Sequence, residues 1–162
     1  MIVHPIPPVF DTRSRVLILG SFPSVKSREE GFFYGHRQNR FWPLIATLTG
    51  EATPRTVEEK RALLLAHGIA LWDVLAACDI TGSADSTIKN AVPNDLSPIL
   101  TAAPVACIIT NGRTAHACYS KHIYPLTHRE AICLPSTSPA NAACSLSSLI
   151  DAWSAVLCPF LS

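Results

Sequence analysis

The chain alternates two kinds of apolar pattern. Arg15-Val16-Leu17-Ile18-Leu19-Gly20 is a short continuous apolar run closed by glycine, the pattern of a strand buried on both faces. Residues 69–72, 105–110 and 130–134 repeat it. Between these runs the period becomes helical. Residues 40–49 predict a helix with Pro43 in its first turn, where proline is tolerated, and Gly50 as its stop. Thr56-Val57-Glu58-Glu59 has capping-box spacing and opens a helix that runs to His67 and ends at Gly68. Residues 95–102 and 113–122 predict two more helices, with Pro125 ending the second pattern. Residues 145–157 place Leu146, Leu149, Ile150, Trp153 and Leu157 on one stripe. Apolar strands alternating with helices predict a parallel sheet covered on both faces.

In such a sheet ligands bind beyond the carboxyl ends of the strands. Three segments leave those ends: residues 20–39, Asn111-Gly112, and residues 135–141. The first has no clear period and is rich in Ser, Gly and aromatics, which predicts a long irregular loop of the kind that usually serves function. Together the segments supply Ser21, Phe22, Ser24, Phe32, Phe33, Tyr34, His36, Gln38, Asn39, Asn111, Ser136, Thr137, Ser138 and Asn141. The only carboxylates expected among them are Glu29 and Glu30. That set builds no metal cage and disfavours a paired-carboxylate hydrolase. It suits a planar polar ligand held between aromatics, with amides at its edge and hydroxyls toward phosphate.

Composition narrows the class without choosing a partner. The chain has 162 residues, 48% hydrophobic and 15% charged, the length of a single domain, here expected over 1–162, with a core that needs no staples. No run of about 18 apolar residues suggests a membrane span, and the proline-rich start does not read as a signal peptide. A net charge of +1 neither requires nor excludes nucleic acid. The six cysteines form no C-x-x-C pair. With no export signal they read as free thiols in a reducing cytoplasm, Cys107 and Cys133 as buried ones.

Gly20-Ser21-Phe22-Pro23-Ser24, Gly35-His36-Arg37-Gln38-Asn39-Arg40-Phe41-Trp42 and Leu134-Pro135-Ser136-Thr137-Ser138-Pro139-Ala140-Asn141 together resemble the uracil-DNA glycosylase superfamily. The branch they resemble most is that of the hypoxanthine-DNA (deoxyinosine) glycosylases. The resemblance implies a three-layer α/β/α fold around a central four-stranded parallel sheet. It also implies hydrolysis of the N-glycosidic bond of a deaminated base flipped out of DNA, with no cofactor and no metal, by a monofunctional enzyme that leaves an abasic site. A monomer acting on DNA, with no membrane association, is the expected state.

Carried over residue by residue, the resemblance makes Asn39 and Asn111 the catalytic candidates. Asn39 would orient water toward the sugar C1′, and Asn111 would read the lactam edge of the base, since a carboxamide presents N–H and C=O in one plane. Ser21, Phe22 and Phe33, with Asn111, are the base-binding candidates. Ser24, Arg40, Ser136, Thr137, Ser138 and Asn141 are the DNA-backbone candidates. Each has a plain structural counterpart: Asn39 immediately precedes a helix and suits a cap, Asn-Gly is a common turn, and aromatics pack cores. Ser21 stands where other branches carry Asn or Asp, and a hydroxyl without an adjacent base does not activate water. Arg37 and Pro43 also depart from the pattern. His36, His116, His122 and His128 read as surface or cap residues, and Asp73 as structural, though it could border the pocket. A uracil or G:U/G:T mismatch-specific glycosylase and a non-catalytic nucleotide-binding module remain as alternatives. A serine hydrolase fails for want of G-x-S-x-G.

Overall fold

The computed structural model describes residues 1–161. Four strands, β2 (Val16–Gly20), β3 (Ile69–Asp73), β6 (Cys107–Asn111) and β7 (Ile132–Leu134), form one parallel sheet in the order β3-β2-β6-β7. These are the four runs anticipated from the apolar pattern. Every residue of β2 is buried, as a central strand with helices on both faces requires.

Strand alternation divides the core into two clusters. Val16, Ile18, Ile69, Leu71 and Ile109 face one side. There they meet α2 (Phe41–Thr49), α3 (Val57–Ala66) and α7 (Leu146–Leu157). Leu17, Leu19, Ala70 and Ile108 face the other, against Ile99 of α4 (Ser97–Ala102) and the helical run that begins with α5 (Arg113–Cys118). The architecture is three-layer α/β/α.

Local chemistry explains most boundaries. Thr56 accepts a hydrogen bond from the Glu59 amide at the start of α3, and Ser145 does the same from Ser148 at α7. Gly50, at φ 73°, closes α2 in the left-handed conformation that favours glycine. On α7, Leu149, Trp153 and Leu157 are the fully buried stripe. Trp153 donates its indole N–H to the Pro135 carbonyl at 2.9 Å and meets Phe41 edge-on.

Four expectations are corrected. Residues 21–38 are not all irregular: α1 (Val25–Glu30) forms there, capped by Ser24, whose side chain accepts from the Ser27 amide. The helix after β6 does not end near His122. A π-turn over Tyr119–Ile123 leads into α6 (Tyr124–Thr127), with Pro125 in its first turn, so the proline opens a segment where it was expected to end one. Cys133 is exposed, unlike Cys107, because β7 is the edge of the sheet. A second sheet of three antiparallel strands, β1 (Ile2–Val3), β4 (Leu75–Asp79) and β5 (Lys89–Pro93), was not anticipated.

Trp153→Ala removes the largest fully buried side chain and its hydrogen bond to the loop after β7. It is expected to lower unfolding free energy by about 3–5 kcal/mol, read as a reduced urea midpoint.

Candidate active site

The carboxyl ends of β2, β3 and β6 open onto one cavity of about 150 Å³. Ligand sites for drug-sized molecules start near 300 Å³, so this space suits a single flat heterocycle. Of the candidates, Ser21, Phe22, Ser24, Phe33, Asn39, Asn111, Ser136, Thr137 and Ser138 line it. Arg40 and Asn141 lie behind it.

The floor is set by a close approach. Gly20 pairs with Asp73 across β2 and β3. A Cβ on Gly20 would stand 2.4 Å from Asp73 Oδ1 and 3.0 Å from the Tyr34 hydroxyl, so the position takes no side chain. Asp73 is 3% exposed, and its Oδ2 is 2.8 Å from His4 Nε2. His4 Nδ1 accepts the Ile6 amide, so the ring proton sits on Nε2 and is donated to Asp73. His4 in turn lies edge-on to Phe22 at 5.9 Å. Asn94 donates its side-chain N–H to the Asp73 and Leu75 carbonyls and braces the passage from β3 to β4.

Asn111 is held by its neighbours on every polar side. Its Nδ2 donates to the Tyr34 hydroxyl at 3.1 Å and to Thr137 Oγ1 at 3.0 Å, while Oδ1 accepts the Thr137 amide at 3.0 Å. The side chain thus ties β6 to both flanking loops, and reading a base with Nδ2 would require breaking one of these bonds. Burial, with the charge of Asp73 next in size, pushes the Tyr34 phenol far above its ordinary range, so it stays protonated. Tyr34 stacks on Phe41 at 4.2 Å, which leaves Phe22 and Phe33 as the aromatic walls.

Asn39 is both cap and lining residue. Its Oδ1 accepts the Phe41 amide at 3.0 Å at the start of α2. That bond fixes the amide's orientation and leaves the second lone pair of Oδ1 and the Nδ2 protons for a ligand. Arg40 serves the loop: its guanidinium donates to the carbonyls of Ser138 at 3.0 Å, of Asn141 at 3.1 Å and of Cys144, and its Nε to that of Thr137 at 3.4 Å. Asn141 donates to the Ser136 carbonyl. Ser136 and Ser138 accept backbone amides of Ser138 and Ala140, so their O–H protons remain free to donate, the polarity a phosphate needs.

Sequence reasoning undercounted the acids. Asp73, which the sequence already allowed to border the pocket, lines the cavity, and so does Asp85, which was not expected; Glu29 and Glu30 are not among the lining residues. Asp73 was readable as the last residue of β3, since the strand-end rule applies there as well. Asp85 arrives from the β4–β5 connection, on a short 3₁₀ turn over Asp85–Thr87, and no motif marks it. Its Oδ1 receives the Ser21 hydroxyl at 3.0 Å, so Ser21 does have an acid beside it. His36, read as a surface residue, is exposed at the cavity rim. Among the described residues no group of histidines, cysteines and carboxylates could hold a metal ion.

The model of the uracil DNA glycosylase superfamily matches residues 7–156. The chain belongs to that superfamily. A hypoxanthine DNA glycosylase of Methanosarcina acetivorans is 36% identical over 143 residues, 87% of this chain and 89% of the relative. One of Methanosarcina barkeri is 33% identical over 149 residues, 91% and 92% of the two chains. The solution NMR structure of a candidate uracil DNA glycosylase from M. acetivorans superposes with a TM-score of 0.83 at 34% identity over 99% of each chain. The superfamily fold is thus the three-layer α/β/α architecture described above.

Asn111→Asp replaces the two N–H donors with an oxygen facing the oxygens of Tyr34 and Thr137. The expected cost is about 1–3 kcal/mol. Faster amide exchange in residues 136–141 is expected with it, measured by hydrogen–deuterium exchange.

Proposed function

We propose that the chain is a monofunctional DNA glycosylase that hydrolyses the N-glycosidic bond of hypoxanthine flipped out of DNA and leaves an abasic site. The observation that carries this reading is the cavity at the strand ends, sized for one base, with Asn39 at its wall. Relatives named hypoxanthine DNA glycosylase align over nearly the whole chain and support the substrate. No helix among the described residues is long and apolar enough to cross a membrane. The enzyme acts as a cytoplasmic monomer, one cavity on one lesion.

The chemistry follows from the positions. An extruded base enters between Phe22 and Phe33, and stacking offsets part of the cost of unpairing, about 1–3 kcal/mol per base. The free hydroxyls of Ser136 and Ser138 donate to backbone phosphates beside the lesion. Asn39 holds water with its remaining Oδ1 lone pair and aims it at C1′. An amide is a weak base, so its contribution is placement of the nucleophile against an oxocarbenium-like sugar. Lys26, the only lysine in the loop, lies on the exposed face of α1, 3.5 Å from Glu30, which supports hydrolysis without a Schiff base.

A uracil-directed glycosylase is the second reading, favoured by the M. acetivorans structural neighbour and by the lactam edge that uracil shares with hypoxanthine. Duplexes carrying one hypoxanthine or one uracil, treated with alkali after incubation, separate the two. Cleavage at hypoxanthine is expected, lowered roughly 100-fold or more in Asn39→Ala. Cleavage at uracil alone would transfer the substrate to the second reading. Cleavage of neither by folded protein would leave a binding module.

A further inference from the structure

The β4–β5 connection lies outside the parallel sheet, yet it is fastened to the cavity mouth. The Val25 amide donates to Ser83 Oγ at 2.9 Å, and Arg28 Nη2 donates to the Gly82 carbonyl at 2.7 Å. Thr87 Oγ1 accepts the Thr81 amide and donates to the Ala84 carbonyl, closing the turn on itself. This bracing brings Asp85 to the cavity wall beside Ser21.

The cavity already holds one negative charge, since Asp73 receives the His4 N–H as a carboxylate. A base that departed as an anion would meet that charge at close range. Departure as a neutral molecule needs a proton. Tyr34 is too weak an acid and its oxygen is engaged by Asn111. His36 stands on the Asn39 side of the rim, with Nδ1 accepting the Gln38 amide. Asp85 remains. Asp85 is exposed at the rim, but its carboxyl faces the cavity wall beside Ser21, and partial desolvation there raises it above the ordinary carboxylate range; the Ser21 hydroxyl opposes the rise and the charge of Asp73 adds to it. The other titratable groups coupled to it are Tyr34, Cys78 and Cys118, none of them a cation. Arg28 is held on carbonyls.

We propose that Asp85 is a catalytic acid that protonates N7 of the departing purine, and that Ser21, by donating to Oδ1, leaves the acidic proton on Oδ2. The proposal rests on the hypoxanthine reading. The C1′–N9 bond breaks with its electron pair moving into the purine, and the Asp85 proton goes to N7, so the base leaves neutral. The water oxygen bonds C1′ and gives up a proton to solvent, from which Asp85 is recharged. A pyrimidine lactam has no ring nitrogen in the place of N7. The acid therefore also selects a purine.

Single-turnover excision from duplexes carrying hypoxanthine, 7-deazahypoxanthine or uracil tests this over a pH series, with Asp85→Asn and His36→Gln beside the wild type. Because the protonated carboxyl is the active form, the wild-type rate on hypoxanthine is expected to fall as pH rises through the raised pKa. Asp85→Asn should slow hypoxanthine release about 100-fold and abolish that limb, while 7-deazahypoxanthine is equally slow in both proteins. Asp85 meets solvent at the rim, and an unchanged melting temperature confirms that the variant folds. An unaltered rate and pH limb in Asp85→Asn would overturn the proposal. So would full wild-type speed on 7-deazahypoxanthine, or loss of the limb in His36→Gln instead. Wild type that releases uracil but not hypoxanthine would overturn the underlying substrate reading, a separately visible failure.

Discussion

The close approach at Gly20 organises the site. A side chain there would collide with Asp73 and Tyr34, so β2 ends in a residue that lets two neighbouring groups converge over it. Tyr34 then reaches Asn111, and Asn111 reaches Thr137. One strand end and two loops are joined by this chain of polar contacts. The sheet makes this the natural place for chemistry. Both its faces are covered by helices, and the carboxyl ends of its strands open onto the cavity.

Two layers of residues divide the work. The inner layer, His4, Asp73, Asn94, Asn111 and Arg40, is hydrogen-bonded within the protein and fixes the shape of the cavity. The outer layer, Asn39, Ser136, Ser138 and Asp85, keeps lone pairs or protons for a ligand. Residues read from the sequence as DNA contacts fall into both. The distinction lies in which partners each side chain has already taken, and that is settled only by the folded arrangement. Placement with little reorganisation is what such a site contributes to rate.

The sheet was legible because strands buried on both faces leave long apolar runs, and β2 is the clearest. The antiparallel sheet was not. β1 has two residues, and Leu75-Ala76-Ala77-Cys78-Asp79 and Lys89-Asn90-Ala91-Val92-Pro93 show neither alternation nor strong strand preference. Its pairing comes from tertiary contact. The same sheet hides Asp85, whose proximity to Ser21 spans 64 residues. α1 was concealed for a related reason: Val25-Lys26-Ser27-Arg28-Glu29-Glu30 carries one apolar residue, so no period marks it. Asn39, Ser136 and Ser138 were legible because they follow strand ends or precede a helix within recognisable runs.

The central claim is that a flipped base occupies the cavity beyond β2, β3 and β6. A crystal structure with a duplex carrying 2′-fluoro-arabino-inosine, whose glycosidic bond resists hydrolysis, tests it directly. The hypoxanthine ring is expected between Phe22 and Phe33, with C1′ facing the Asn39 amide and a phosphate on Ser136 or Ser138. An inosine left stacked in the duplex, or a base seated on another face of the protein, would contradict it.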